Sequence, residues 1–408
     1  MHILLIHQAF ASLDEPGGTR HHELARSLVQ RGHQVTIIAS PISYLTGAKR
    51  SDQKRFIVRS QLEPGLTLLR CNTYHALHRS FTHRVLSFIG FMVSSFIAGL
   101  GVRQVDLVWG TTPPIFQAVT AWLLSRLKGV PFLLEVRDLW PEFAIQVGVL
   151  RNRSLVRLSE WLERFLYRHA DRVVVNSPGF VAHVTQRGAR QVDVVPNGAD
   201  PDMFDPADSG QDFRKEYGLQ GKYIVLYAGA HGMSNDLGVA LQAAALLKDQ
   251  AEIQLVLLGD GKEKPALQEQ AQYMGLQNVH FIPALPKQGM SAALAAADAC
   301  LAILKAVEAY KTTYPNKVFD YMAAGRPVLL AIDGVMRQVV EQAGCGVFCE
   351  PGDALALAEA IRRLAADQEL GRRMGLAGRS YVAAHFNRHH LAEKLALLME
   401  EMQVKSNT

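Results

Sequence analysis

The 408-residue chain is poor in cysteine and has no low-complexity segment and no short-period repeat. Its four cysteines, Cys71, Cys300, Cys345 and Cys349, stand in apolar settings. They are too few for a disulfide framework, which fits a reducing compartment. Cys345 and Cys349 lie in GCGVFCEP with no His or further Cys nearby, so a metal site is not expected there. The opening MHILLIHQAF is a short apolar strand and a polar turn, without the long apolar stretch and cleavage pattern of a signal peptide. No GxGxxG fingerprint follows that strand. The loop over 9–16 is too long, and the second strand runs into Ala39-Ser40-Pro41 rather than an acidic residue, which argues against nicotinamide and flavin cofactors. No aromatic-interleaved basic cluster or nucleic-acid motif is present, which argues against a nucleic-acid partner.

What is present is a chain long enough for about two domains, since single cores stop growing near ~250–300 residues. With 49% hydrophobic residues it can fill both. The net charge of +5 conceals an asymmetry. Residues 1–195 hold 23 Lys and Arg against 13 Asp and Glu; residues 196–408 hold 20 against 25. A basic half suggests an anionic lipid surface or a polyanionic substrate.

Strand and helix signals alternate. Strands are expected at 2–7, 34–39, 66–71, 107–110, 132–136, 172–176 and 193–195, with a helix at 20–31 capped by Thr19. The pattern restarts with strands at 223–228, 254–258, 279–282, 299–303, 328–332 and 346–348, and a helix at 237–248. Pro196-Asn197-Gly198, with Pro201 and Pro206 after it, marks the junction. The expected fold class is α/β, two doubly wound Rossmann-like domains facing across a cleft. Residues 1–195 form the first, 196–385 the second, and 386–408 a C-terminal helix able to pack on either. That last helix, over 391–402, groups Leu391, Leu395 and Leu398 on one face.

Four places can carry chemistry. Gly17-Gly18 would let backbone approach a phosphate or sugar, or simply start a helix. Gly229-Ala230-His231-Gly232 lacks a Walker Lys-Ser/Thr pair, yet its N–H groups could hold a diphosphate with His231 as a donor or as a solvated loop residue. Arg137-Asp138 follow the strand 132–136 at the carboxyl end, where ligands bind in parallel sheets. The two could also pair with each other. The fourth is YPNKVFDYMAAGRPVLL at 314–330. Pro315 and Asn316 open a helix, Gly325 ends it, and Pro327 forbids its return. Its first turns carry Lys317 and Asp320 beside free N–H groups, a setting for phosphate and for a ribose diol. An Asp near a helix start also stabilises the helix on its own account.

Residues 85–102, VLSFIGFMVSSFIAGLGV, are uncharged and follow His78, Arg79, His83 and Arg84. A buried core helix and a helix that dips one face into a bilayer are both open. A full membrane span is disfavoured, because Asp106 and a further buried-looking strand follow at once.

Taken together, GGTRHHELARSLVQRGHQVTII, EVRDLWPE, VPNGADPDMF, LYAGAHG and PNKVFDYMAAGRPVL resemble the GT-B glycosyltransferases of family 4. The likeness is to the bacterial surface-polysaccharide subgroup of O-antigen and capsule N-acetyl-fucosamine and N-acetyl-hexosamine transferases, and it spans nearly the whole chain. The resemblance implies a nucleotide-diphosphate sugar donor, UDP-linked, and retention of anomeric configuration with neither a metal nor another cofactor. The helix within 314–330, the basic first half and the apolar stretch at 85–102 lead us to expect a polyprenyl-diphosphate-linked glycan acceptor at the inner face of the cytoplasmic membrane, with an anionic membrane surface as partner. The resemblance makes Asp320 the ribose ligand. Gly17, Gly18, Gly229, His231, Gly232, Lys311, Asn316 and Lys317 then fall to the donor, and Asp138 and Arg137 to catalysis. The chain departs from the pattern at Thr312, where the family has a glutamate. It departs also at His231 and Asn235, where the family has Arg and Lys, and at Arg137, where it has His. Lys311, Lys317 or Arg137 would supply the missing positive charge. Two other readings are a UDP-sugar 2-epimerase on the same fold, for which no paired acid/base set is visible, and a non-catalytic nucleotide-binding partner, motivated by Thr312.

Overall fold

The computed structural model describes residues 1–408 except 44–46, 50–54, 75–80, 206–207 and 408. The basic flank at His78 and Arg79 and the junction marker Pro206 lie outside the described residues. The chain divides into two compact units. Unit 1 comprises Met1–Ser12, Gly18–Pro196 and His389–Thr408; unit 2 comprises Leu13–Gly17 and Asn197–Arg388.

The strands of unit 1 are β1 (His2–Ile6), β2 (Gln34–Ala39), β3 (Ile57–Glu63), β4 (Leu66–Cys71), β5 (Leu107–Thr112), β6 (Phe132–Val136), β7 (Arg172–Val175) and β8 (Val192–Val194). They form one sheet in the order β3-β4-β2-β1-β5-β6-β7-β8. Every pairing is parallel except β3 with β4. Sequence reasoning missed β3, because its residues IVRSQLE stand largely exposed at the sheet edge and carry no buried run. Its helices are α1 (Arg20–Gln30), α2 (Phe81–Leu100), α3 (Ile115–Lys128), α4 (Glu142–Gln146), α5 (Arg153–His169) and α6 (Val181–Gln186). Thr19 precedes α1 but does not cap it; its hydroxyl donates instead to Glu23 Oε1 at 2.6 Å.

Alternation along the central strands sends side chains to two cores. Leu4, Ile6, Val108 and Leu134 pack with Phe91 and Ala98 of α2, Ala118 and Leu124 of α3 and Leu166 of α5. On the opposite sheet face, Ile3, Leu5, Leu107 and Leu133 meet Leu24 and Leu28 of α1.

Unit 2 carries β9 (Tyr223–Ala228), β10 (Ile253–Leu258), β11 (Val279–Ile282), β12 (Ala299–Ile303), β13 (Val328–Ala331) and β14 (Gly346–Phe348). The sheet is parallel throughout, in the order β11-β10-β9-β12-β13-β14. Its helices are α7 (Gln211–Glu216), α8 (Leu237–Ala245), α9 (Lys264–Tyr273), α10 (Lys287–Ala296), α11 (Asn316–Ala323), α12 (Val335–Ala343), α13 (Ala354–Ala366) and α14 (Gln368–His385). A final helix, α15 (Arg388–Asn407), begins where the chain re-enters unit 1. Leu391, Leu395, Met399 and Met402 join the α1 core, so the stripe read in the sequence is buried there. All four cysteines are free and buried.

Candidate functional site

In unit 2 the site is built where β9 ends. Gly229, Gly259 and Gly261 have φ of 155°, 145° and 156°, a region side chains disfavour. A Cβ on Gly259 would collide with the Gly229 carbonyl oxygen, and one on Gly261 with that of His231. Two glycine turns therefore lie directly on one another. The Gly229 N–H donates to Leu258 O at 3.0 Å and the His231 N–H to Asp260 O at 2.8 Å. These two amides, expected to face a phosphate, are spent on joining the turns. Tyr321 of α11 donates its hydroxyl to Ala228 O at 3.2 Å and accepts from Ala228 N–H at 2.9 Å, which holds α11 against the strand end.

The helix itself follows the sequence reading. Pro315 stands at its N-cap position, and Gly325 past its end has φ of 68°. Lys317 turns back over Tyr227, its Nζ 3.9 Å from the ring centroid. A Cβ on Gly229 would come within 2.7 Å of that ammonium and displace it from this position. Its one hydrogen-bond partner is Asn235 Oδ1 at 3.5 Å, and among the described residues no carboxylate forms an ion pair with it. Burial lowers its pKa to about 7. His231, expected in a polar loop, is 0% exposed, and neither ring nitrogen has a hydrogen-bond partner. Burial, with Lys264 and Lys317 adding to it against Asp260, lowers its pKa to about 4, so the ring is neutral at pH 7.

Asp320 is differently placed. Lys287 of α10 donates to Oδ1 at 2.8 Å and Asn316 Nδ2 donates to Oδ2 at 3.1 Å. Asn316 Oδ1 in turn accepts from Arg388 at 2.8 Å. The carboxylate read as free for a ribose thus already has a cation and an amide, with lone pairs left over for hydroxyls. Lys311, expected near the diphosphate, is exposed and paired with Glu308 at 2.9 Å and Asp333 at 3.9 Å. A Cβ on Gly232 would meet only Asn235 Nδ2, at 3.7 Å.

In unit 1, Arg137 and Asp138 do not pair as the sequence allowed. Arg137 donates to the carbonyls of Thr112 and Pro113 at 3.2 and 3.1 Å. Burial raises the Asp138 carboxyl to about 6, with the Arg137 charge opposing. Gly17 and Gly18 are both exposed, and Gly18 has nothing within 4 Å of a built Cβ.

Sequence reasoning missed the densest polar cluster of unit 1. Glu135, 1% exposed on β6, accepts from Arg20 Nε at 3.1 Å, His21 Nε2 at 2.7 Å and Trp109 Nε1 at 3.2 Å. Burial alone would raise this carboxyl, but His21 and Arg20 hold it well below the usual range. Arg20 also donates to the carbonyls of Val195 and Pro196, both at 2.8 Å. His7 lies against His21, ring centroids 4.2 Å apart and planes tilted by 43°, and its Nδ1 meets Thr111 Oγ1 at 3.1 Å. The signal was in the sequence: a carboxylate inside the buried run FLLEV requires partners. Lys287 and Asn235 carried no such signal.

Two Rossmann-like α/β units with parallel sheets define the GT-B fold class. Sucrose-phosphate synthase from Thermosynechococcus elongatus shares it with a TM-score of 0.80 at 20% identity, over 99% of each chain. Anabaena HepE in complex with UDP-glucose matches at 0.73 and 17%, over 98% of this chain and 100% of that one. By sequence, the glycosyl transferase 4-like domain family matches residues 17–198 and the glycosyl transferases group 1 family residues 209–381. Together they cover most of the chain, which belongs to the GT-B glycosyltransferases. A relative in Escherichia coli (strain K12), named as the colanic acid biosynthesis glycosyl transferase WcaI, is 26% identical over 354 residues, 84% of this chain and 86% of that protein.

Proposed function

We propose that this chain moves a sugar, an N-acetylated hexosamine or deoxyhexosamine, from a UDP-linked donor to a polyprenyl-diphosphate-linked glycan in surface-polysaccharide synthesis. The reaction retains anomeric configuration and uses no metal. The observation that carries the donor half is Lys317, a half-buried lysine whose ammonium lies against a glycine turn and forms no ion pair with a carboxylate among the described residues. Such a group costs free energy until a negative charge arrives. The bound UDP-glucose of HepE and the name of WcaI support the choice of donor and pathway.

Breaking the bond between the sugar C1 and the diphosphate oxygen leaves negative charge on the departing nucleoside diphosphate. A fixed donor aimed at that charge is commonly worth about 3–4 kcal/mol of barrier. Lys317 is that group, with His231 as a neutral donor beside it. The acceptor hydroxyl attacks C1 from the face the phosphate leaves, and the departing phosphate takes its proton. Asp320 holds the ribose through lone pairs that Lys287 and Asn316 leave open. In unit 1, Asp138 is the group we assign to orienting a sugar hydroxyl.

The lipid-linked acceptor rests on α2. Ser87, Ser94, Ser95 and Ala98 face the core, while Leu86, Ile89, Val93, Ile97 and Leu100 face outward. At 100° per residue these five aliphatics fall within an arc of about 80°, a stripe about 21 Å long. The helix is long and apolar enough to cross a membrane, but Phe91 and Ala98 sit in the unit 1 core, so only one side is available to lipid. We place the protein at the inner face of the cytoplasmic membrane on this ground.

Labelled UDP-sugars with a lipid-linked acceptor test the reading. Transfer that Lys317→Met abolishes is the expected result; no transfer and no donor hydrolysis across a full donor panel would sink it. Asp320→Ala is expected to weaken donor binding about tenfold, the loss of a charged hydrogen-bond acceptor. Unchanged affinity by calorimetry would remove Asp320 from the site.

A further inference from the structure

The outward layer of unit 1 has a second apolar helix face, on α5. Leu155, Leu158 and Trp161 are exposed, Trp161 at 58%, although α5 packs its other side into the core through Leu166. On a helical projection they fall within an arc of about 120°, and Phe165 and Leu162 lie inside it. Arg157, Arg164 and Arg168, all exposed, line one edge of that arc as a row at seven- and four-residue spacing. Trp161 stacks on Phe165 at 5.6 Å, and Phe165 meets Trp122 of α3 edge-on at 4.8 Å. Phe116 of α3 contacts Phe88 of α2 at 6.0 Å. Aromatic contacts thus join α5 to α3 and, separately, α3 to α2 on one face of the sheet.

The charges along this layer are mostly positive, and the acidic groups of α5 are already paired with cations. Neither α2 nor α3 carries an Asp or Glu. On α5, Glu163 is buried, taken by His183 and Arg187 at 2.8 and 2.7 Å, and Glu160 lies beside Arg164 and Arg187. A partner protein surface would be expected to meet acidic residues somewhere on the layer. An apolar arc with Trp, edged by arginines alone, suits the boundary between acyl chains and anionic headgroups.

We propose that α5 is a second lipid-contacting helix. Leu155, Leu158 and Trp161 sit at headgroup depth and Arg157, Arg164 and Arg168 take the phosphates of an anionic bilayer. This rests on the lipid-facing reading of α2 for the orientation of unit 1, but the α5 arc and its arginine row stand on their own. The two helices divide the work: α2 supplies uncharged apolar area, and α5 supplies the charge that selects anionic lipid.

The test is flotation of the full chain with vesicles of phosphatidylcholine alone or mixed with phosphatidylglycerol. Three variants are compared: Leu155→Ser/Leu158→Ser/Trp161→Ser, Arg157→Gln/Arg164→Gln/Arg168→Gln, and Leu86→Ser/Val93→Ser/Ile97→Ser in α2. Every changed side chain described on α5 is exposed, and thermal unfolding checks that each variant folds. The arginine variant is expected to lose affinity for mixed vesicles by roughly fivefold per charge and to lose the salt dependence. Brominated lipid is expected to quench the part of the emission that Trp161→Phe removes; if that part is unquenched, Trp161 does not reach lipid and the proposal falls. If both α5 variants float as the native protein does while the α2 variant is released, the α5 proposal falls and the α2 reading stands. If the native protein does not float, both fall. If the α5 apolar variant instead changes the sedimentation coefficient without lipid, the face covers a second copy of the chain and the proposal is overturned.

Discussion

The two units bury charge in opposite ways. In unit 1, Glu135 has Arg20, His21 and Trp109 around it, and the surplus donors of Arg20 go to backbone carbonyls. In unit 2, Lys317 has a ring face and one distant amide oxygen, and His231 has nothing. The first arrangement is complete without a ligand. The second is a deficit that protein alone leaves open, and an arriving anion with acceptor oxygens closes it. Completeness is what a purely structural cluster shows, and the deficit is what the proposed donor site rests on.

The sharpest way to break this contrast is at Glu135. Glu135→Leu leaves Arg20 buried with a lost partner, and such losses run to about 3–5 kcal/mol. Urea unfolding is expected to show a loss of that size; a change under 1 kcal/mol would mean the cluster is no structural keystone. Lys317→Met should do the reverse. The free protein is expected to be as stable as native or more so at pH 7, because a partly desolvated charge without an anion has been removed, while UDP affinity drops by about tenfold to hundredfold. A variant that unfolds more easily would place Lys317 with Glu135 rather than against it.

The pH dependence follows with its sign. The folded Lys317 titrates at about 7, below the unfolded value of about 10.4. Between those values the unfolded chain holds more protons, so this group makes stability rise with pH across that window. A bound diphosphate favours the charged form. Calorimetry in buffers of different ionisation enthalpy is therefore expected to show proton uptake on UDP binding at pH 8.5, absent in Lys317→Met. No uptake would show that the diphosphate does not meet this ammonium. The smallest effect is expected at His231. His231→Leu removes two buried orphan nitrogens, which should leave the free protein unchanged or stabilised by about 1 kcal/mol while slowing transfer. A clear loss of stability would show that the imidazole is already satisfied.

Much of the fold was legible because strand periodicity and helix punctuation are local. Each of the six strands of unit 2 was read near its observed place, and α11 was bounded by Pro315 and Gly325 as expected. The exception, β3, pairs at an edge with solvent on its sides, so no buried pattern announced it. The site was legible only in part. Lys317, Gly229 and His231 were singled out, but not that Lys287 would take one oxygen of Asp320, nor that Lys311 would turn to Glu308.

The sequence by itself determined the two-fold α/β architecture, the donor helix and the basic character of the first half, since each follows from neighbours in the chain. Tertiary structure decided which charges are paired and which face of a helix is covered. Glu135 and Arg20 are 115 residues apart, and Lys287 and Asp320 are 33 apart. No local pattern reports such a meeting. The apolar stretch of α2 reads equally as a core helix or a bilayer-dipping one until the fold turns its serines inward and five of its aliphatics out.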